Sequence, residues 1–193
     1  MKRLLCLAAA LLCANEALAQ PAQLPAPYPS RAVTIVNPWN AGGVIDLVAR
    51  AAAQSMQKQT GNSFIVENVP GAGSMIGTTR VANAKPDGYT VLWGTSSGLV
   101  ILPQINSNVR YHPTKSFEPI SWVGRSPYFF AVSAASPYRS IGDLLSRARA
   151  NPGKMSYGTP GTGSSPHVTT EALLGATQTN MLHVPFKGGQ DMV

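Results

Sequence analysis

The sequence predicts an α/β protein with doubly wound parallel sheets. Short β-rich apolar runs alternate with stretches whose apolar residues recur at helical spacing. Glycine or proline marks nearly every change of period. With 44% hydrophobic and 12% charged residues over 193 positions, the chain can bury a core in one or two domains, which argues against disorder.

The clearest unit is Val33–Arg50, VTIVNPWNAGGVIDLVAR. Val33–Asn37 reads as a strand, and Pro38, Asn40, Gly42 and Gly43 break it. Ile45, Val48, Ala49, Ala52 and Met56 then fall on one face of a helix that ends near Gly61. Such a turn leaves helix N–H groups without internal partners, and the helix dipole favours an anion beside them. Gly42 and Gly43 carry no Cβ, so a ligand can approach the backbone. The central expectation is that this turn grips a carboxylate. Asp46, in the first helical turn, would repel one. It either holds the loop or meets a ligand's amino group or hydroxyl.

The remaining elements follow in order. Phe64–Glu67 is a second strand, Asn68–Gly73 (NVPGAG) a loop, and Ser74 an N-cap for a helix running to about Asn83. Pro86-Asp87-Gly88 is a turn, and Thr90–Trp93 is a third strand entering the polar turn Gly94–Gly98 (GTSSG). Pro119–Gly124 and Phe129–Ser133 read as two more strands. Ser140 with Asp143 opens a helix that stops at Asn151-Pro152-Gly153. Met155–Gly158 is a strand leading into Thr159–Pro166 (TPGTGSSP), a helix covers His167 to Leu174, and Asn180–Pro185 is the last strand.

Residues 1–19 read as a secretory signal peptide, with Lys2 and Arg3, the apolar stretch Leu4–Ala14, and an Ala17-Leu18-Ala19 cleavage site. The apolar stretch is shorter than the ~20 residues that span a bilayer. Both cysteines, Cys6 and Cys13, lie in the removed segment, so the mature chain has neither a disulfide nor a thiol nucleophile. Cys13 also raises lipidation, against which the bulky Leu12 stands. Residues 20–31 are a Pro/Ala-rich lead-in, 32–123 a first α/β domain, and 124–193 a second, incomplete one. The formal charge of +7 is scattered, which argues against nucleic-acid binding and weakly favours an acidic small solute.

Two rival readings compete, a serine hydrolase and a nucleotide binder. Gly94-Thr95-Ser96-Ser97-Gly98 fits G-x-S-x-G after a strand, and Asp143 with His167 or His183 would complete a serine hydrolase. Pro103 disfavours the helix that such an elbow needs behind it. Gly71-Ala72-Gly73 with Gly77 is one residue too long for a dinucleotide fingerprint. Gly158–Gly163 has P-loop spacing but Ser164 in place of its lysine. His112, His167 and His183 lack close metal-ligand spacing, and no cofactor is expected.

Five ordered blocks carry a resemblance: YPSRAVTIVNPWNAGGVIDLVAR, VENVPGAGSMIGTTRVANAKPDGYTVLWGTSSG, KSFEPISWVGRSPYFFAV, GKMSYGTPGTGSSPHVTTEALL and HVPFKGG. Over Tyr28–Val193 the chain resembles the Bug family, the solute-binding receptors of tripartite tricarboxylate transporters. The resemblance implies a periplasmic-binding-protein-like clamshell of two doubly wound domains. It implies a small carboxylate or related solute between them, a membrane permease as partner, and no catalysis. The family's binding loops map onto Trp39, Asn40, Ala41, Gly42, Gly43 and Asp46, and onto Thr95, Ser96 and Ser97. They map further onto Gly161, Thr162, Gly163, Ser164, Ser165 and His167, and onto Phe186, Lys187 and Gly188. Trp39 reads equally as pocket wall or as packing, His167 as a helix starter, and Lys187 as a solvated charge. The family's first turn is usually more apolar or glycine-rich than one holding Asn40 and Val44. Its members run to roughly double this mature length, which implies a truncated chain that exposes sheet edges and apolar faces.

Overall fold

The computed structural model describes residues 27–186 and 188–192. The signal peptide, Cys6, Cys13, most of the lead-in and Lys187 lie outside the described residues.

The first sheet is β-α-β-α-β. Strand β1 (Val33–Asn37) leads through helix α1 (Val44–Thr60) to β2 (Phe64–Asn68). Helix α2 (Met75–Ala82) then leads to β3 (Thr90–Leu92). The strands are parallel in the order β2-β1-β3, with Val33 opposite Phe64 and Thr34 opposite Thr90. As the central strand, β1 is covered on both faces, so it is largely apolar, with Val33, Ile35 and Val36 buried. Strand order reverses at β1, the place in an open α/β sheet where ligands are usually held beyond the strands' carboxyl ends.

Helix α1 ends as its sequence demands, on Gly61 in the left-handed conformation (φ 72°). Its inward face is rotated from the expected stripe. Asp46, Ala49 and Ala53 are buried, Ile45, Ala52 and Met56 are half-buried, and Val48 is exposed. A carboxylate at the helix start draws this face inward, as described below.

Beyond β3, a π-helical turn (Ser97–Ile101) runs into a short helix α3 (Leu102–Ile105). The strands expected at Pro119–Gly124 and Phe129–Ser133 do not form. A strand needs a neighbour to take its amides and carbonyls, and no backbone hydrogen bond ties residues 117–132 to either sheet among the described residues. Ile120, Trp122 and Phe129 stand 78%, 73% and 84% exposed.

Helix α4 (Ile141–Ala150) is capped as expected. The Asp143 amide donates to Ser140 Oγ at 3.1 Å, and the Asp143 carboxylate accepts the Arg139 amide at 3.0 Å. A second parallel sheet pairs β4 (Ser156–Thr159) with β5 (Leu182–Pro185), Ser156 opposite Leu182. Between them, helix α5 (Ser165–Ala176) begins two residues earlier than expected, because Ser164 Oγ caps the His167 amide and Pro166 suits the first turn. Leu145, Ala148, Leu174 and Met181 form the core here, with Leu144, Met155 and Tyr157 against it.

Candidate functional site

Three turns at strand carboxyl ends build the site. In the turn after β1, Asp46 is 2% exposed and fully engaged. Its Oδ2 accepts the Gly42 amide and Arg50 Nε, both at 2.9 Å, and its Oδ1 accepts Asn68 Nδ2 at 2.8 Å. Asn37 Nδ2 lies 3.5 Å from the same Oδ1. Burial pushes the Asp46 carboxyl up. The bonds from Arg50, Gly42 and Asn68 outweigh it and hold the group well below the usual carboxylate range. Asp46 therefore holds the loop, and the Gly42 amide meets this carboxylate. Gly42 has φ 82°, which places its N–H toward Asp46 at little steric cost.

In the turn after β3, Thr95 Oγ1 accepts Trp39 Nε1 at 3.4 Å. Ser96 Oγ and Ser97 Oγ lie 2.8 and 3.0 Å from Ser165 Oγ, and Ser97 Oγ also accepts the Ser165 amide at 2.9 Å. These residues, 68 or 69 positions from Ser165, join the first sheet's turn to the start of α5.

The turn after β4 rests on two histidines. The Gly163 amide donates to His167 Nδ1 at 3.2 Å, so that nitrogen is unprotonated. His183 Nε2 lies 2.7 Å from Thr159 Oγ1, and the two imidazoles stack at 4.0 Å. Burial, then the neighbouring His167, lowers the His183 pKa, and Glu171 opposes the shift. Tyr157 packs 5.1 Å from His183 and hydrogen-bonds Glu171, and burial followed by that carboxylate raises its phenol.

A cavity of about 430 Å³ opens between the turns after β1 and β4, the loop after β2 and the end of β5. Of the expected residues, Trp39, Asn40, Gly161, Thr162 and Phe186 line it. Asn40 also lies against Gly188, where a Cβ would come within 3.2 Å of Asn40 Nδ2. Ala41, Gly42, Gly43, Asp46, Thr95, Ser96, Ser97, Gly163, Ser164, Ser165 and His167 are not part of its lining.

Sequence reasoning missed the loop after β2. Pro70, Gly71, Ala72, Gly73 and Ser74 form one wall of the cavity. Gly71, Ala72, Gly73 and Ser74 all have positive φ (128°, 48°, 64° and 87°), a conformation that is strained for the two non-glycines. Ser74 consequently makes no side-chain cap for α2, contrary to expectation. A glycine-rich loop at a strand's carboxyl end was the available signal.

The hydrolase arrangement is not assembled. Ser96 and Ser97 bond to Ser165, Asp143 caps α4, and no imidazole hydrogen-bonds either serine among the described residues. Among those residues there is also no group of three or more His, Cys, Asp or Glu able to hold a metal, and no helix long and apolar enough to cross a membrane.

Comparison with known proteins agrees with this architecture. Residues 48–193 match the model of the tripartite tricarboxylate transporter family receptor. A Pseudomonas sp. (strain P51) protein encoded in a tcbD–tcbE intergenic region is 36% identical, over 86% of this chain and 49% of its own length. Protein BugT of Bordetella pertussis is 31% identical, over 83% of this chain and 50% of its own. Among solved structures, a Rhodopseudomonas palustris protein with adipate superposes with a TM-score of 0.81 at 33% identity, covering 86% of this chain and 55% of that one. The periplasmic binding protein BugD gives 0.72 at 36%, covering 85% and 55%. R. palustris MatC with bound malate gives 0.67 at 27%, covering 83% and 55%. The chain spans about half the length of the curated relatives it matches. The fold is that of the periplasmic binding proteins of this type, and their receptor role is not an enzyme class. On the family match and these identities, this chain belongs to the Bug group of tripartite tricarboxylate transporter receptors.

Proposed function

We propose that the chain carries the capture site of a periplasmic receptor for a small carboxylate, which it presents to the membrane permease of a tripartite tricarboxylate transporter. The observation that carries this reading is the cavity of about 430 Å³ between the turns after β1, β2 and β4. Its volume falls within the range of roughly 300–1,000 Å³ usual for small-molecule sites. Trp39 and Phe186 supply apolar walls for a carbon chain. Asn40 and the backbone of the 70–74 and 160–162 loops supply polar groups for carboxylate oxygens. The adipate and malate of the related structures are acids of this size.

In this reading the first turn holds the ligand through Trp39 and Asn40, while Asp46 keeps the loop rigid. Residues 32–123 and 124–193 act as the two jaws, and the leader at 1–19 sends the chain to the periplasm. A thermal-shift series with C4 to C6 dicarboxylates tests it. A ligand that binds only the folded chain raises the melting temperature with concentration, by about 2.7 kcal/mol of stability at one hundred times Kd. A flat response to every acid in the series would refute it.

A further inference from the structure

We infer that Ser97 is a positioning residue, a hydroxyl clasp that holds the cavity's opposed walls in register without touching the solute. The inference takes the cavity proposed above as the binding site. Ser97 is 2% exposed and lies outside the cavity lining. Its Oγ accepts the backbone amide of Ser165 at 2.9 Å and stands 3.0 Å from Ser165 Oγ, with Ser96 Oγ adding a third contact at 2.8 Å. Ser165 is the first residue of α5, three residues after Thr162 of the 160–162 wall. Its amide is one of the helix donors that have no partner within the helix. Ser97 supplies that partner from the other sheet's turn, and Ser164 Oγ takes the His167 amide. The start of α5 is therefore satisfied by the protein itself.

The walls meet beside the clasp with little tolerance. A Cβ on Gly73 would come within 2.6 Å of the Thr162 carbonyl oxygen, and one on Gly163 within 2.8 Å of Leu102. Such close contact fixes how near the walls can come but resists separation poorly, because dispersion between few atoms is weak. The buried serine bonds oppose separation, since opening them strands a donor in the interior. Ser165→Ala keeps the amide-to-Ser97 bond and loses only the hydroxyl contacts, whereas Ser97→Ala loses both of its bonds.

The test reads wall separation directly, in the full chain carrying Cys6→Ser and Cys13→Ser. Spin labels go at Lys58 on α1 and Ala172 on α5, both exposed, for pulsed dipolar distance measurement. One narrow distance is expected in the parent and in Ser165→Ala. A longer, broader population is expected in Ser97→Ala, with carboxylate affinity about tenfold weaker, mostly through faster dissociation. Should Ser97→Ala fail to fold, hydrogen exchange at the Ser165 amide of the parent decides, with exchange as slow as in the core strands expected. An unchanged distance in a folded Ser97→Ala, or fast exchange at the Ser165 amide, overturns the clasp. Because distances are read without ligand, a parent that binds no carboxylate refutes the receptor reading and leaves the clasp to be judged on the distances alone.

Discussion

The imidazoles of His167 and His183 stack 4.0 Å apart, and each ties down one end of the 159–163 turn, His183 through Thr159 Oγ1 and His167 through the Gly163 amide. Two protonated rings at that distance would repel, and a protonated His167 Nδ1 would present a donor to a donor. The stack therefore disfavours a second charge beside the first. The charged or titratable neighbours are Glu171 on α5, which favours the His183 cation, and Tyr157 on β4, which stays neutral.

This sets a pH dependence with a definite sign. The His183 pKa is lowered in the folded chain, chiefly by burial. The unfolded chain therefore takes up a proton first, near pH 6.5. The contribution to stability is complete above about pH 7 and is lost as pH falls through that value toward the folded pKa. Denaturant midpoints at pH 7.5 and 5.5 should show the lower value at 5.5, and His183→Gln should narrow the difference. An NMR titration placing His183 above 6.5 would contradict the sign.

Asp46 makes a prediction of the same sign in a more acidic window. Its folded pKa is depressed, so its stabilisation is present above about pH 4, the unfolded carboxylate value, and fades as pH falls below it. Asp46→Asn removes the ion pair with half-exposed Arg50 and offers a donating amide NH2 where Oδ2 now accepts the Gly42 amide. A loss of about 2–3 kcal/mol is expected in urea unfolding, the range for a charged hydrogen bond broken in the interior. A loss under about 0.5 kcal/mol, the surface-substitution range, would mean that the network is incidental.

Gly73 tests the contact between walls. Alanine there adopts φ 64° only at a cost of about 1–2 kcal/mol, and its methyl would lie 2.6 Å from Thr162 O. The walls must part to admit it. Gly73→Ala is expected to lower the melting temperature and weaken carboxylate binding, while Gly61→Ala, in open space at a helix end, lowers stability alone. Equal affinity in the two variants would refute a special role for Gly73.

The legibility of the sequence varied with the range of the interaction. Val33–Asn37, the Gly61 cap and the Ser140–Asp143 cap depend on neighbours within a few residues, and all were readable. Trp39, Asn40, Gly161, Thr162 and Phe186 could be anticipated as turn residues at strand ends. The partners of Ser96 and Ser97 could not, because Ser165 lies 68 or 69 residues away and a hydroxyl does not declare whether it meets solute or protein. Asp46 was ambiguous for the same reason, until Asn68 appeared 22 positions on as its partner. The Pro119–Gly124 and Phe129–Ser133 runs have strand composition, but composition does not provide the adjacent edge a strand requires.

Those two runs give the last prediction. Ile120, Trp122, Val123, Tyr128, Phe129 and Phe130 are each more than half exposed and concentrate large apolar side chains within eleven residues. Such a patch favours association between chains, especially in β-prone segments with unpaired backbone. Replacing Trp122 and Phe129 with lysine is expected to raise the soluble fraction and to slow light-scattering growth at 37 °C. Because these side chains are 73% and 84% exposed, little packing is lost, and stability should change by less than about 0.5 kcal/mol per site. A large fall in stability would instead mean that these side chains pack in solution, against this chain or a second copy. Dilution separates those two, since only packing between copies weakens as concentration falls.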